Sequence, residues 1–168
     1  MVVIGIDPGT AITGYGLVRE NTDGSLEAIA YGAFQTSPDD PMSARLLLLY
    51  RSLTDLLLLH RPDCGAVEKL FFARNVRTAL AVGQARGVTL LAMEQAGMPI
   101  AEYTPLEVKQ AVAGYGGAEK DQVQQMVRAL LGLPDLPQPD DAADALAVAI
   151  CHVHSARLRG LIHEESQR

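Results

Sequence analysis

A chain of 168 residues, 48% hydrophobic and 20% charged, suits one globular domain with a sizeable core. Its longest apolar runs, such as Leu46–Tyr50, are far too short to cross a bilayer, and no basic and apolar leader precedes the first strand-like run, so a cytoplasmic protein without a signal peptide is expected. A net charge of −6 and a pI near 5.1, taken alone, argue against a nucleic-acid binder, because phosphate contacts need local positive charge.

In chain order, Val2–Asp7 reads as a first strand, and Gly14–Glu20 and Leu26–Gln35 as the next two. Asn21–Gly24 between the latter pair is a hairpin turn, with Gly24 free to take positive φ. Asp40–Pro41 opens a helix to about His60. Leu46, Leu49, Leu53, Leu56, Leu57 and His60 recur there at helical spacing, and the extra leucines at 47, 48 and 58 predict burial on more than one face. Arg61–Asp63 breaks it, and Cys64–Glu68 is a fourth strand. A second helix runs from about Asn75 to Gln95, ended by Gly97. Pro99–Tyr103 is a fifth strand, followed by helix Pro105–Ala113, the loop Gly114–Gly117 and helix Ala118–Leu131. Val123, Met126, Val127, Leu130 and Leu131 make one stripe of that helix. After the proline-bearing loop Leu133–Pro139, a final helix starts near Asp140 and runs to about Ala156.

Strands one to three fit an antiparallel meander. A right-handed crossover through the first helix then sets strand four parallel to strand one. The expected fold is α/β: a mixed five-stranded sheet, order 3-2-1-4-5, with helices on both faces. Residues 1–158 form a single domain and 159–168 a flexible C-terminal tail.

Strands one and four end on carboxylates, Asp7 and Glu68, side by side at the edge where open α/β sheets place their sites. Paired carboxylates raise one pKa or recruit a cation. A turn-forming Asp before Pro8–Gly9 and a strand-end ion pair for Glu68 are the plainer readings of each acid singly. The stretch "PQPDDAADAL" opens the last helix with three more acids, whereas capping needs one. Asp141 and Asp144 lie about 60° apart on the helix surface, and Asp140 and Asp144 are also neighbours, four residues apart. Asp7, Glu68, Asp141 and Asp144 together suit two Mg²⁺ or Mn²⁺ ions, hard cations that take oxygen ligands and serve in-line phosphoryl displacement. Bound metal would also reverse the effect of these acids on a phosphate.

The chain holds three lysines, Lys69, Lys109 and Lys120, all in suspect segments. Lys120 follows a glycine loop in the first turn of a helix, a natural phosphate seat where a cation opposes the macrodipole. Phe71 and Phe72 follow Glu68, with Arg74 and Arg77 just beyond, so an aromatic can wedge or stack against a base unless it plugs the core. Ala79, Gly83 and Gly87 recur every four residues of the second helix. Mid-helix glycine costs about 1 kcal/mol against alanine, so this face meets either its own sheet or, as favoured here, a second copy in a two-fold dimer. His152 and His154 are about 200° apart on a helix and cannot share a metal. Cys64 and Cys151 make no metal motif and are expected as reduced thiols.

Taken in order, "IGIDPGTAITGYG", "VEKLFFARN", "GQARG", "VKQAVAGYG", "AEKDQVQQMVRALLGL" and "DAADALAVAI" resemble the successive motifs of the RuvC family of Holliday-junction resolvases. The resemblance covers Val2 to about His154. It implies an RNase H-like fold, a homodimer, Mg²⁺ or Mn²⁺, and symmetric nicking of two opposed strands of a four-way DNA junction, leaving 5′-phosphate and 3′-hydroxyl ends. It implies that Asp7, Glu68, Asp141 and Asp144 are the catalytic carboxylates, choosing Asp141 over Asp140. It gives Lys109 and Lys120 functional roles, gives Phe71 a part in junction distortion, and makes the RuvA–RuvB branch-migration complex a partner. Two other readings are an actin-like ATPase, whose phosphate loop is similar to "IDPGT", and a junction-binding module without catalysis. The first needs two lobes and a second phosphate loop, for which 168 residues are too few.

Overall fold

The computed structural model describes residues 1–69 and 76–166, with side chains described for 1–69 and 79–158. Five strands, β1 (Val2–Asp7), β2 (Ile12–Glu20), β3 (Leu26–Gln35), β4 (Cys64–Glu68) and β5 (Ile100–Tyr103), form one sheet in the order β3-β2-β1-β4-β5. The first three pair antiparallel, whereas β4 runs parallel to both β1 and β5, as the crossover rule predicts. Gly24 takes φ +84° in the β2–β3 hairpin, and Gly97 takes φ +68° after the second helix.

Strand alternation sorts the side chains into two cores. Val3, Val18, Cys64, Ala66 and Tyr103 face one way, toward α3 (Pro105–Ala113), α4 (Lys120–Leu130) and α5 (Asp140–Ser166). Ile4, Ile6, Leu17 and Val67 face the other way, toward α1 (Met42–His60) and α2 (Val76–Gln95). The parity has a functional consequence. Asp7 shares the side of Val3 and Gly5, and Glu68 shares that of Cys64 and Ala66, so both acids belong to the α5 face.

Helix α5 is seated directly on the sheet. A Cβ at Gly5 would stand 2.6 Å from the amide nitrogen of Ala149, and one at Gly16 would stand 2.7 Å from the Leu146 side chain. At Gly14 it would overlap the Asp141 carbonyl. Glycines inside strands mark just such close backbone approach. Every residue from Ala145 to Val153 is buried as a result.

Three details depart from expectation. Helix α1 is not deeply buried: only Leu49, Leu53 and Leu57 reach the core, and Leu58 and Leu59 are 67% and 76% exposed. A helix on one face of a sheet buries one stripe, whatever the composition of its outer face. Met126 likewise leaves the α4 stripe for solvent, whereas Val123 and Val127 stay buried. Helix α5 continues to Ser166, past the expected stop near Ala156, because Gly160 weakens a helix without ending it and no proline follows.

Candidate active site

Four elements deliver the charged groups. In β1 and β4, Ile6 is paired with Val67, so Asp7 and Glu68 emerge next to each other at the C-terminal ends of parallel strands. The Asp7–Pro8–Gly9 turn is closed by the buried Thr13, whose hydroxyl donates to the Gly9 carbonyl at 2.6 Å. Helix α5 brings Asp141 and Asp144 over this edge. Helix α4 brings Lys120 as its first residue, and α3 brings Lys109. Thr104 and Glu107 form a capping box that fixes the start of α3, with Pro105 at its first turn. A cavity of about 190 Å³ opens among these groups, lined by Glu68, Lys109, Lys120 and Asp144 on its polar side and by Val108, Val123 and Ala147.

The acids carry more negative charge than the fold neutralises. Burial, then the charge of Asp144, raises Asp7 to about 6, although a hydrogen bond with Glu68 opposes the rise. Burial, then the charge of Asp7 and the same hydrogen bond, raises Glu68 to about 8. Glu68 is therefore the partner that keeps the shared proton. Asp144 is raised by burial in spite of Lys120 beside it. Burial pulls Lys120 down, but Asp144 and Asp140 more than offset this and raise it. Its ammonium lies 3.0 Å from Asp144 Oδ2 and 3.3 Å from Asp140 Oδ2.

Among the described residues, no three His, Cys, Asp or Glu side chains are already arranged as a metal cage. The acids are instead satisfied by a shared proton and a lysine. The donor set nevertheless fits divalent metal: it is all oxygen, it is only partly exposed, and its raised pKa values record charge that a cation would relieve.

Not every expected residue reaches this place. The charge of Lys69 acts on Glu107 rather than on the acids. Phe71, Phe72 and Arg74 lie outside the described residues, and of Arg77 only the helical backbone of α2 is described. The sequence reading also missed three contributions. Gly5, Gly14 and Gly16 let α5 approach, and their signal was glycine recurring inside strands. Asp140 engages Lys120. Finally, His152 is buried between the Tyr103 hydroxyl, 3.0 Å from Nδ1, and Cys64 Sγ, 3.3 Å from Nε2. Tyr103 stands opposite Glu68 in the β4–β5 register, so this cluster ties α5 to the strand pair that carries the acid.

A family model described as "Crossover junction endodeoxyribonuclease RuvC" matches residues 3–152. The chain belongs to the RuvC family. A RuvC crossover junction endodeoxyribonuclease of Desulforamulus reducens is 59% identical over 152 residues, covering 90% of this chain and 93% of the relative. Thermus thermophilus RuvC, solved in complex with a Holliday junction substrate, superimposes with a TM-score of 0.86 at 38% identity, covering 94% of this chain and 96% of that one. The yeast mitochondrial Holliday junction resolvase shares the fold, with a TM-score of 0.70 at 14% identity over 98% of this chain and 85% of that one. The fold is RNase H-like, and RuvC nucleases depend on divalent metal, in keeping with the oxygen-rich edge of this sheet.

Proposed function

We propose that this chain is a crossover junction endodeoxyribonuclease that resolves Holliday junctions by nicking two opposed DNA strands, leaving 5′-phosphate and 3′-hydroxyl ends. The observation that carries the reading is one small cavity lined by Glu68 and Asp144 together with Lys109 and Lys120: acids for metal beside cations for phosphate, on an otherwise acidic protein.

In this reading Asp7, Glu68, Asp141 and Asp144 hold two Mg²⁺ or Mn²⁺ ions. When bound, the metal supplies Lewis-acid activation of water and stabilisation of the departing 3′-oxygen. To serve as ligands, Asp7 and Glu68 would have to release the proton they share. Lys120, with Lys109, faces the non-bridging phosphate oxygens and steadies charge that grows there in the transition state. Phe71, Phe72, Arg74 and Arg77 contact the junction arms. Residues 1–158 are the nuclease domain, and the expected flexible tail is instead helical as far as Ser166.

Two copies pair through the outer face of α2. Leu80 and Leu91 are 66% and 53% exposed there, and a Cβ at Gly87 would meet nothing within 4 Å. Two-fold symmetry then presents two sites to opposed strands. Gly83→Leu should give a monomer by light scattering; an unchanged dimer would place the seam elsewhere. The branch-migration complex RuvA–RuvB is the expected partner in the cytoplasm. No helix among the described residues is long and apolar enough to cross a membrane.

The test is an immobile four-way junction incubated with Mg²⁺ or Mn²⁺. The wild-type protein should release paired, symmetric nicks. Asp7→Asn should bind the junction and leave it intact; cutting at the wild-type rate would remove Asp7 from the site.

A further inference from the structure

We propose that Asp140, which the RuvC motif passes over in favour of Asp141, is the positioning residue that holds the Lys120 ammonium at the rim of the site. The inference rests on the nuclease reading above. Lys120 opens α4, where the positive end of the helix dipole disfavours a cation. Such a side chain needs anions to stay in place, and the first two turns of α5 supply two, Asp144 at 3.0 Å and Asp140 at 3.3 Å.

The two anions are not equivalent. Asp144 is the more buried, and its charge acts on both Asp7 and Glu68. Asp140 is 56% exposed and is not among the charges that perturb either of them. Asp144 thus belongs to the acid cluster, whereas Asp140 reaches it only through Asp144, whose carboxyl its charge helps to raise. In the working enzyme the Asp144 carboxylate is committed to metal and its charge is compensated. Asp140 is then the anion left to restrain Lys120. Without it, a flexible four-carbon stem carries the ammonium over many rotamers, only some of which face the cavity shared with Glu68.

The test is single-turnover cleavage of an immobile junction by the full-length protein at saturating junction and Mn²⁺. Asp140→Asn keeps the shape and loses the charge. It should lower the rate about three- to fivefold, the upper part of the range of an exposed ion pair. Its junction affinity in EDTA and its Mn²⁺ half-saturation should match wild type, and Asp140→Glu should recover the rate. In a Lys120→Ala background, Asp140→Asn should have no further effect. Additive losses in the double variant, an increased Mn²⁺ requirement, or an unchanged rate for Asp140→Asn would each overturn the proposal. Failure of the underlying reading looks different: wild type that leaves the junction uncut, or Lys120→Ala that cuts at the wild-type rate.

Discussion

The two faces of the sheet are finished to different degrees. On the α5 side, a helix lies so close that strand glycines are required, and its inward residues are sealed. On the α1–α2 side, three leucines of α1 reach the core while Leu47, Leu48, Leu58 and Leu59 face water. A cavity of about 580 Å³ also lies between the ends of these helices, lined by Leu57, Leu58 and Met98, at the edge away from the acids. The difference teaches where precision is needed. A site built from four separated segments tolerates no slack between α5 and the strand ends, whereas the outer surface of α1 and α2 carries no such demand and stays apolar and open.

Adding one side chain to each face is the harshest way to break this contrast. Gly5→Val drives carbon into the Ala145–Ala149 backbone and should cost about 3 kcal/mol or more, read as a denaturation midpoint shift or loss of soluble protein. Gly87→Ala meets no atom of its own chain beyond the local helix backbone within 4 Å, so unfolding of the protomer should be unchanged or gain up to about 1 kcal/mol. Equal costs at the two positions would erase the distinction.

The charged edge of the α5 face gives the next effect. Because folding raises Glu68 from 4.5 to about 8, the folded metal-free protein holds a proton that the unfolded chain has released between those pH values. Asp7 does the same between 3.8 and about 6. The stabilising contribution is therefore complete below pH 4 and is lost as pH rises toward 8. Glu68→Gln should flatten this decline and stabilise the metal-free protein at pH 8 by about 1–3 kcal/mol in urea titrations. A variant less stable than wild type at pH 8 would contradict the charge excess. Divalent metal should abolish the wild-type decline.

Smaller still is the polar cluster deeper in the same layer. Tyr103→Phe removes the hydroxyl bonded to His152 Nδ1 and should cost about 1–2 kcal/mol, measured as a lowered Tm. Leu59→Ser, on the open face, should fall within about 0.5 kcal/mol of wild type. A large loss there would mean that α1 is covered after all.

Much of this was legible from residues alone. Strand alternation, one hairpin turn and the handedness of a crossover dictate the order β3-β2-β1-β4-β5, and they bring Asp7 beside Glu68 although 61 positions separate them. Turn residues named their own geometry at Gly24 and Gly97, because a positive φ is a local property. The leucines of α1 misled for the converse reason: composition records which side chains are apolar, not how many neighbours the sheet supplies.

The sequence by itself determined the elements, their order and the acids, since periodicity, caps and strand parity act over a few residues. Only the tertiary structure decided which partner each charge has. Lys120 meeting Asp140 and Asp144, α5 resting on Gly5 and Gly14, and His152 lodging between Cys64 and Tyr103 all join segments far apart along the chain. Such contacts depend on the packing distance between a helix and a sheet, which no local pattern encodes.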